Sequence, residues 1–183
     1  MITILDGGMG AELIRRGAAA SGGLWSAQAL LDDPEAVVET HLDFIRAGAR
    51  LIITNSYSSI PSYLAKGGIE DRYEELTALA GQLARRAAGE MKENVRVAGS
   101  LPPLSESYRP DLVPDDQQAR SIYEVMAIAL EPNVDIFVCE TMSSIRESIN
   151  ACEAAKKAAL SRKIPVYVSW TLSEKPGAGL RSG

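Results

Sequence analysis

The stretch Ile2-Thr3-Ile4-Leu5-Asp6-Gly7-Gly8-Met9-Gly10 decides the predicted fold. A short β-branched run ends in an acid, and a glycine cluster then opens a helix. This pattern is typical of an α/β active-site edge, where the carboxyl ends of parallel strands converge on the ligand. The rest of the chain repeats the same order of strand, polar residue, loop and helix.

Composition excludes several classes of protein. The 183 residues are 46% apolar and 23% charged, which is ordinary for one globular domain. A net charge of −5 argues against a nucleic-acid partner or an anionic membrane surface. There is no transmembrane run and no signal-peptide pattern. We therefore expect a cytoplasmic protein whose two cysteines are reduced thiols.

Five short, nearly continuous apolar runs predict parallel strands that are covered on both faces. They span residues 2–5, 51–54, 95–98, 135–139 and 166–171. Helical patterns separate them. Because strands alternate with helices, the sequence predicts βαβ units and a parallel sheet.

Several helix boundaries can be predicted from local signals. Asp33 precedes Pro34 and is expected to be an N-cap, and Gly48 is expected to close the same helix. Ser144-Ile145-Arg146-Glu147 has the capping-box pattern, with Ile149 and Cys152 on the inner stripe of the helix that it opens. Apolar residues at helical spacing predict two further helices, over 73–87 and 122–130.

An open doubly wound sheet and a barrel are both compatible with this alternation, and the barrel is favoured. Each predicted strand ends in a polar residue, namely Asp6, Asn55, Ser100, Glu140 and Thr171. A ring of such residues is what a (β/α)8 TIM barrel builds, and the glycine cluster lacks the dinucleotide-binding spacing. Since five βα units cannot close eight strands, we expect residues 1–183 to be one domain, the N-terminal portion of a barrel, truncated before strands six to eight.

Asp6 and Glu140 are the strongest candidates for chemistry. Two carboxylates at one barrel mouth suit the binding of a substrate ammonium group, or acid–base work if burial raises one pKa. The alternative is that each of these carboxylates caps a neighbouring helix or pairs with an arginine. Trp25 is expected either to wall a pocket that takes a cationic methyl donor or to pin its loop. Tyr57 and Tyr108 are weaker examples of the same case.

The other reactive side chains are predicted to be structural. His41, the one histidine, lies on the apolar stripe of an outer helix, so a Ser-His-Asp or Cys-His mechanism has little support. Cys139 and Cys152 are predicted to be small core residues. With one histidine and two separated cysteines, the chain has no zinc-ligand constellation of its own.

Six blocks of sequence resemble the homocysteine S-methyltransferase family, in the family's order and over essentially all 183 residues. The blocks are Leu5-Asp6-Gly7-Gly8-Met9-Gly10-Ala11-Glu12-Leu13, Leu24-Trp25-Ser26-Ala27, His41-Leu42-Asp43-Phe44-Ile45-Arg46-Ala47-Gly48-Ala49, Ile53-Thr54-Asn55-Ser56-Tyr57, Val97-Ala98-Gly99-Ser100-Leu101 and Cys139-Glu140-Thr141. The turn Ser100-Leu101-Pro102-Pro103 departs from the commoner Gly-Pro form. The resemblance implies a TIM barrel that moves a methyl group from a small-molecule donor to the thiol of homocysteine, giving methionine.

The resemblance also implies roles for individual residues. Asp6 and Glu140 would hold the amino group of homocysteine, and the backbone of Gly7 and Gly8 would lie near its carboxylate. Trp25 would lie near the methyl donor. The mouth of the site would be lined by Asn55, Gly99 and Ser100. The donor expected from the tryptophan block is S-methylmethionine or S-adenosylmethionine, with betaine and methylfolate as open alternatives.

Zinc is the cofactor that the resemblance implies. A free thiol of pKa about 8.5 is a poor nucleophile at neutral pH, and zinc lowers that pKa. The family draws zinc from three cysteines near strands six and eight, which neither Cys139 nor Cys152 matches. We therefore expect no metal ligands or catalytic residue in this chain, and an inactive fragment.

Two other interpretations belong to different classes. In the first, the chain is a non-catalytic half-barrel that binds substrate or pairs with a partner chain, and a homodimer through its open edge is one form of that pairing. An aldolase-like barrel would need a Schiff-base lysine at a strand end, and none of the five predicted strand ends has one.

Overall fold

Four parallel strands form the sheet of the computed structural model, which describes residues 2–19, 23–175, 177, 179 and 181. They are β1 (Leu51–Ile53), β2 (Arg96–Leu101), β3 (Ile136–Met142) and β4 (Val166–Trp170). Their order across the sheet is their order in the chain, and every neighbouring pair is parallel. A doubly wound sheet reverses its strand order at a switch point, whereas a barrel does not. The predicted partial barrel is confirmed.

Seven α-helices accompany the strands in the described part of the chain. They are α1 (Met9–Arg15), α2 (Ala27–Asp32), α3 (Pro34–Arg46), α4 (Pro61–Leu64), α5 (Tyr73–Glu90), α6 (Asp116–Leu130) and α7 (Ile145–Ala159). The larger helices α3, α5, α6 and α7 pack side by side in chain order. Within these residues, no helix combines the length and the apolar character needed to cross a membrane.

The predicted N-caps form as side-chain hydrogen bonds. Asp33 accepts from the backbone N–H of Ala36 at 3.1 Å at the start of α3. Ser144 Oγ accepts from the N–H of Glu147 at 3.3 Å at the start of α7. Each bond satisfies a backbone donor that the first turn leaves free. Gly48 follows α3 with a φ of 115°, a conformation that suits glycine.

The prediction of a full strand at residues 2–5 is wrong. This segment makes one parallel bridge, between Leu5 and Leu51, supported by the bond from Arg50 N–H to the carbonyl of Ile4 at 2.9 Å. In the described structure it pairs on one side only, and Ile2, Ile4 and Leu5 are exposed. An edge segment with little side-chain burial has too little stabilisation to extend the ladder.

The predicted ends of the next strands were also misplaced. β2 continues through Ser100 to Leu101, and β3 continues through Glu140 to Met142. Ser100 pairs with Val138 and Leu101 with Cys139. The sequence predicts that these strands end at the polar residues, but pairing with a neighbouring strand overrides the weak strand preference of glycine, serine and glutamate.

The core positions predicted for His41 and Cys139 are confirmed, whereas Cys152 is less buried than predicted. His41 is fully buried, and so is Cys139, whose Sγ lies 3.7 Å from that of the half-buried Cys152. Ile149, however, is exposed rather than on the inner face of α7. The buried stripe of that helix is made instead of small and polar residues such as Ala151 and Ala155.

Burial of His41 predicts a specific pH dependence of stability. Burial lowers the pKa of His41 from 6.5 to about 3, and neither ring nitrogen has a partner among the described residues. Below pH 6.5, His41 is therefore protonated in the unfolded chain but stays neutral in the folded chain until the pH approaches 3. Relative to a His41→Leu variant, the wild type should lose about 1.4 kcal/mol of unfolding free energy per pH unit between pH 6 and 4.

Urea denaturation of both proteins at pH 7, 6, 5 and 4 measures this difference. The comparison with the variant removes the contributions of all other titrating groups. Parallel stability curves for the two proteins would contradict the assignment of a neutral, buried imidazole.

Candidate active site

A cavity of about 670 Å³ opens where the carboxyl ends of the strands meet the first glycine cluster. Its walls come from the segment after the Leu5 bridge, the connection between α1 and α2, the segments that follow β1 and β2, and the last residues of β3. Of the predicted site residues, it brings together Asp6, Gly7, Gly8, Trp25, Asn55 and Glu140. In a parallel barrel this is the end at which active sites are built.

Asp6 is placed by hydrogen bonds with β1. Its backbone N–H donates to the carbonyl of Leu51 at 3.0 Å, and its Oδ2 accepts from the N–H of Ile53 at 2.7 Å. The other carboxyl oxygen, Oδ1, is buried and has no hydrogen-bond partner within the described structure. One oxygen therefore holds the side chain in place and the second is left for a ligand.

Glu140 is aimed by an irregularity in β3. The strand register shifts between Cys139 and Met142, and Thr141 has a φ of 59°, which is strained for a β-branched residue. Bulges of this kind re-aim a side chain next to an active site. Ser100 Oγ donates a hydrogen bond to Glu140 Oε1.

The environment of Asp6 and Glu140 disfavours the ionised form of both carboxyls. Burial raises the pKa of Asp6 from 3.8 to about 7, against the opposing effect of the Ile53 N–H, and the negative charge of Glu140 adds to the rise. Burial likewise raises the pKa of Glu140, and the bond from Ser100 opposes it. A cationic group between them would relieve both costs, since an opposite charge favours the ionised carboxylate.

Trp25 packs directly on the glycine cluster. A Cβ at Gly10 would lie 2.9 Å from Trp25 Cζ2, so only glycine permits this approach. The indole meets the Tyr57 ring edge-on, with centroids 6.2 Å apart. The adjacent carbonyl of Ser26 accepts from Asn55 Nδ2 at 3.0 Å, so Asn55 both lines the cavity and anchors the tryptophan loop.

Sequence reasoning missed part of the wall opposite the glycine cluster. Tyr63, Lys66, Ser107 and Thr141 line the cavity together with Tyr57 and Tyr108, which had been weaker candidates. The Tyr57 hydroxyl and Ser107 Oγ are 2.6 Å apart, and Lys66 Nζ lies 4.2 Å from the centroid of the Tyr63 ring. The available signal was position at the end of a strand for Thr141, or in the segment that follows a strand for the other three, because these parts of a barrel carry its sites.

Left-handed backbone conformations concentrate at this cavity. Trp25, Tyr108 and Thr141 have φ values of 50°, 66° and 59°, and all three line it. Lys163 is the fourth such non-glycine residue in the described chain, and it lies elsewhere. Backbone strain of this kind costs of order 1–3 kcal/mol per residue and clusters at ligand sites.

Two predicted mouth residues lie behind the cavity rather than on it. Ser100 is fully buried and acts on the site through Glu140, while Thr54 Oγ1 holds its N–H at 3.0 Å. Gly99 faces the helix layer, since a Cβ there would lie 3.0 Å from Val134 Cγ1 and 3.3 Å from Leu130 Cδ1. Gly7, by contrast, lines the cavity and is backed by the ring of Phe44, 2.8 Å from a hypothetical Cβ.

The described residues do not fit a zinc site. They include no group of three or more histidine, cysteine, aspartate or glutamate side chains arranged to hold a metal ion. The Cys139–Cys152 pair supplies two sulfurs, but Cys139 is fully buried behind the sheet. Structural and catalytic zinc sites use at least three protein ligands.

Comparison with known proteins gives consistent results. Residues 3–183 match the family described as homocysteine S-methyltransferase. The chain is 33% identical over 160 residues to the homocysteine S-methyltransferase of Escherichia coli K12, covering 80% of this chain and 52% of that protein. It is 28% identical to homocysteine S-methyltransferase YbgG of Bacillus subtilis, covering 100% of this chain and 62% of that protein.

Two further similarities bear on structure and substrate. The metallated form of the E. coli homocysteine methyltransferase MmuM superposes with a TM-score of 0.81 at 30% identity, covering 100% of this chain and 66% of that one. A Pongo abelii protein named S-methylmethionine–homocysteine S-methyltransferase BHMT2 is 31% identical over 85% of this chain and 40% of its own length. The chain thus spans between 40% and 66% of the length of these four relatives.

The raised pKa of Asp6 predicts that its ionisation destabilises the folded chain. Between pH 3.8 and 7 the folded protein keeps a proton that the unfolded chain has lost, so this residue's contribution to stability falls as pH rises. An Asp6→Asn variant should be more stable than the wild type at pH 8, by roughly 1–4 kcal/mol, and nearly equal to it at pH 4. Urea denaturation at both pH values tests this.

Asp135→Asn is the matched control. Asp135 Oδ2 accepts from the N–H of Val97 at 2.8 Å, as Asp6 does from Ile53, but it also pairs with Arg85 at 2.8 Å outside the cavity. Its substitution should lower stability at pH 8. A stabilisation by Asp6→Asn that is the same at pH 4 and pH 8 would contradict the proposed burial of charge.

Proposed function

Because the chain belongs to the homocysteine S-methyltransferase family, we propose that this cavity binds homocysteine for transfer of a methyl group to its sulfur. In that reaction the thiol loses its proton, the sulfur attacks the methyl carbon and a new S–CH3 bond forms. The bond between that carbon and the donor atom breaks, and its electron pair stays with the donor. The products are methionine and the demethylated donor.

The pair of buried carboxyls is the observation that carries the proposal. Asp6 and Glu140 line the same cavity, their charges interact, and Asp6 Oδ1 has no partner within the described residues. The ammonium group of an amino acid would supply both the missing donor and the missing positive charge. We assign its carboxylate to the neighbouring backbone of Gly7 and Gly8, which also line the cavity.

The aromatic part of the wall supports a cationic methyl donor. Trp25, Tyr57, Tyr63 and Tyr108 present rings to the same space. Cationic groups are attracted to aromatic faces, and S-methylmethionine and S-adenosylmethionine both carry a sulfonium. We propose one of these two donors and take S-methylmethionine, for which the Pongo abelii relative is named, as the first to test.

The proposal for the described residues is confined to binding and orientation. Zinc, the metal implied by the family resemblance, would lower the pKa of the bound thiol. No three suitable ligands come together in the described parts of the chain, so we assign them no metal and no turnover of their own. Their role is to hold homocysteine and to present the donor to its sulfur.

Binding of homocysteine tests the proposed function directly. Asp6→Asn and Glu140→Gln keep the shape of each side chain and remove its charge, so each should raise the Kd for homocysteine at least about tenfold at pH 8. For the wild type, the Kd should also rise about tenfold from pH 8 to pH 6, because Asp6, with a pKa of about 7, becomes protonated there. Isothermal titration calorimetry with a thiol reductant present measures both.

Glu153→Gln is the control, since Glu153 is an exposed acid on the outer helix α7 that pairs with Arg120 at 3.5 Å. It should leave the Kd unchanged. An unchanged affinity in Asp6→Asn or Glu140→Gln would remove that residue from the site, and no binding by the wild type at pH 8 would overturn the proposed function.

A second candidate function, pairing with a partner chain, is favoured by the open flanks of the sheet. In the described structure, β4 is bonded to β3 alone and the Leu5 segment to β1 alone. Large apolar side chains are exposed along both, including Ile4, Leu5 and Tyr167. Unpaired edges of this kind template strand pairing with another chain. We propose that the chain associates with a second copy through these edges.

Sedimentation velocity over a range of concentrations tests the association. The wild type should sediment with twice the mass of the 19.6 kDa chain at high concentration. Tyr167→Lys should shift the mass to that of the monomer, because a charge blunts an open edge. Ile128→Lys, at an exposed position on α6, should not. A concentration-independent monomer would overturn this candidate.

A further inference from the structure

Glu147 does not complete the capping box that its sequence predicts. Its N–H donates to Ser144 Oγ as expected, but its carboxyl turns away from the start of α7. Oε1 accepts instead from the N–H of Leu104 at 2.9 Å and from the Tyr123 hydroxyl at 3.2 Å. The carboxyl thus joins α7 to α6 and to the loop that follows β2.

Burying the Glu147 carboxyl costs free energy, because the same group could have capped the start of α7 while exposed to water. Glu147 is 1% exposed, and its Oε2 is buried without a partner among the described residues. Burial also raises the pKa of its carboxyl. Burying a carboxyl is unfavourable unless hydrogen bonds compensate, so its contacts with Leu104 and Tyr123 have to be worth this cost.

The loop that Glu147 holds leads straight to the cavity. The Tyr123 hydroxyl also lies 2.8 Å from the carbonyl oxygen of Pro102, so its single proton is shared between Pro102 and Glu147, and both ends of the short segment 102–104 are fixed. Three and four residues further on, Ser107 and Tyr108 line the cavity.

Leu104 also receives a bond from the opposite side. Its carbonyl accepts from Ser62 Oγ at 2.7 Å, and the next residue, Tyr63, lines the cavity. The Tyr57 hydroxyl forms a hydrogen bond with Ser107 Oγ, further along the same loop. We call Tyr57, Tyr63, Ser107 and Tyr108 the donor wall. Tyr57 and Ser107 are joined by a hydrogen bond, Tyr63 directly follows Ser62, which bonds Leu104, and Tyr108 directly follows Ser107.

We propose that Glu147 is a positioning residue that fixes the donor wall relative to the strand end carrying Glu140. This inference rests on the proposed function. Glu147 lies seven residues after Glu140 in the same βα unit and touches neither substrate. It therefore sets the affinity for the methyl donor, while the homocysteine pocket, held by β1 and Ser100, is independent of it.

Calorimetric titration of the full chain with two ligands tests the role. Glu147→Leu removes the acceptor at similar volume, and it should weaken binding of S-methylmethionine at least fivefold and change homocysteine binding less than twofold. Glu147→Gln keeps an oxygen that can accept from Leu104 N–H, and it should restore most of the donor affinity. Glu153→Gln on the same helix should change neither.

The outcomes separate this role from a merely structural one. Equal losses for both ligands, no loss for the donor, or a Gln variant as weak as the Leu variant would each overturn it. If Glu147→Leu does not fold, Tyr123→Phe, which removes the hydroxyl shared by Glu147 and Pro102, should show the same donor-selective loss to a smaller extent. A wild type that binds homocysteine but not S-methylmethionine overturns the positioning role alone, whereas failure to bind homocysteine overturns the proposed function with it.

Discussion

The parallel pairing of each strand with the strand before it in the chain is the constraint on which the rest of the structure depends. Because β1 to β4 run in one direction and in order, every carboxyl end emerges on the same side of the sheet. Asp6, Asn55 and Glu140 are far apart in sequence, yet they line one cavity for this reason. The helices between the strands return the chain to the amino ends of the strands, at the opposite end of the sheet.

The site is assembled from features that each cost stability. Two carboxyls are buried near one another, and three non-glycine residues of the wall adopt left-handed conformations. Such features persist when surrounding contacts determine them, here the Ile53 N–H for Asp6, the Ser100 hydroxyl for Glu140 and the packing of Trp25 on Gly10. A ligand that supplies a positive charge lowers the free energy of this arrangement, which is how a strained site gains affinity.

Asp6 and Asp135 show how the same local interaction serves different ends. Each carboxyl accepts from a backbone N–H of a neighbouring strand, Ile53 for Asp6 and Val97 for Asp135. Asp135 is neutralised by Arg85, so it stabilises the junction of β2 with the start of β3. Asp6 lies among cavity residues with no arginine or lysine bonded to it in the described structure, so its charge is available to a ligand.

The sequence by itself determined the alternation of strands and helices, the N-caps at Asp33 and Ser144, the core position of His41 and the two acids that line the cavity. These follow from short-range rules of periodicity and capping and from family-specific blocks. Only the tertiary structure decided that the segment at residues 2–5 makes a single bridge, that Gly99 faces α6 and that Tyr63 and Lys66 reach the cavity. It also decided that the Glu147 carboxyl leaves its own helix for Leu104. Each of these depends on which distant segments pack together, and a side chain's neighbours across a fold are not encoded in the residues beside it.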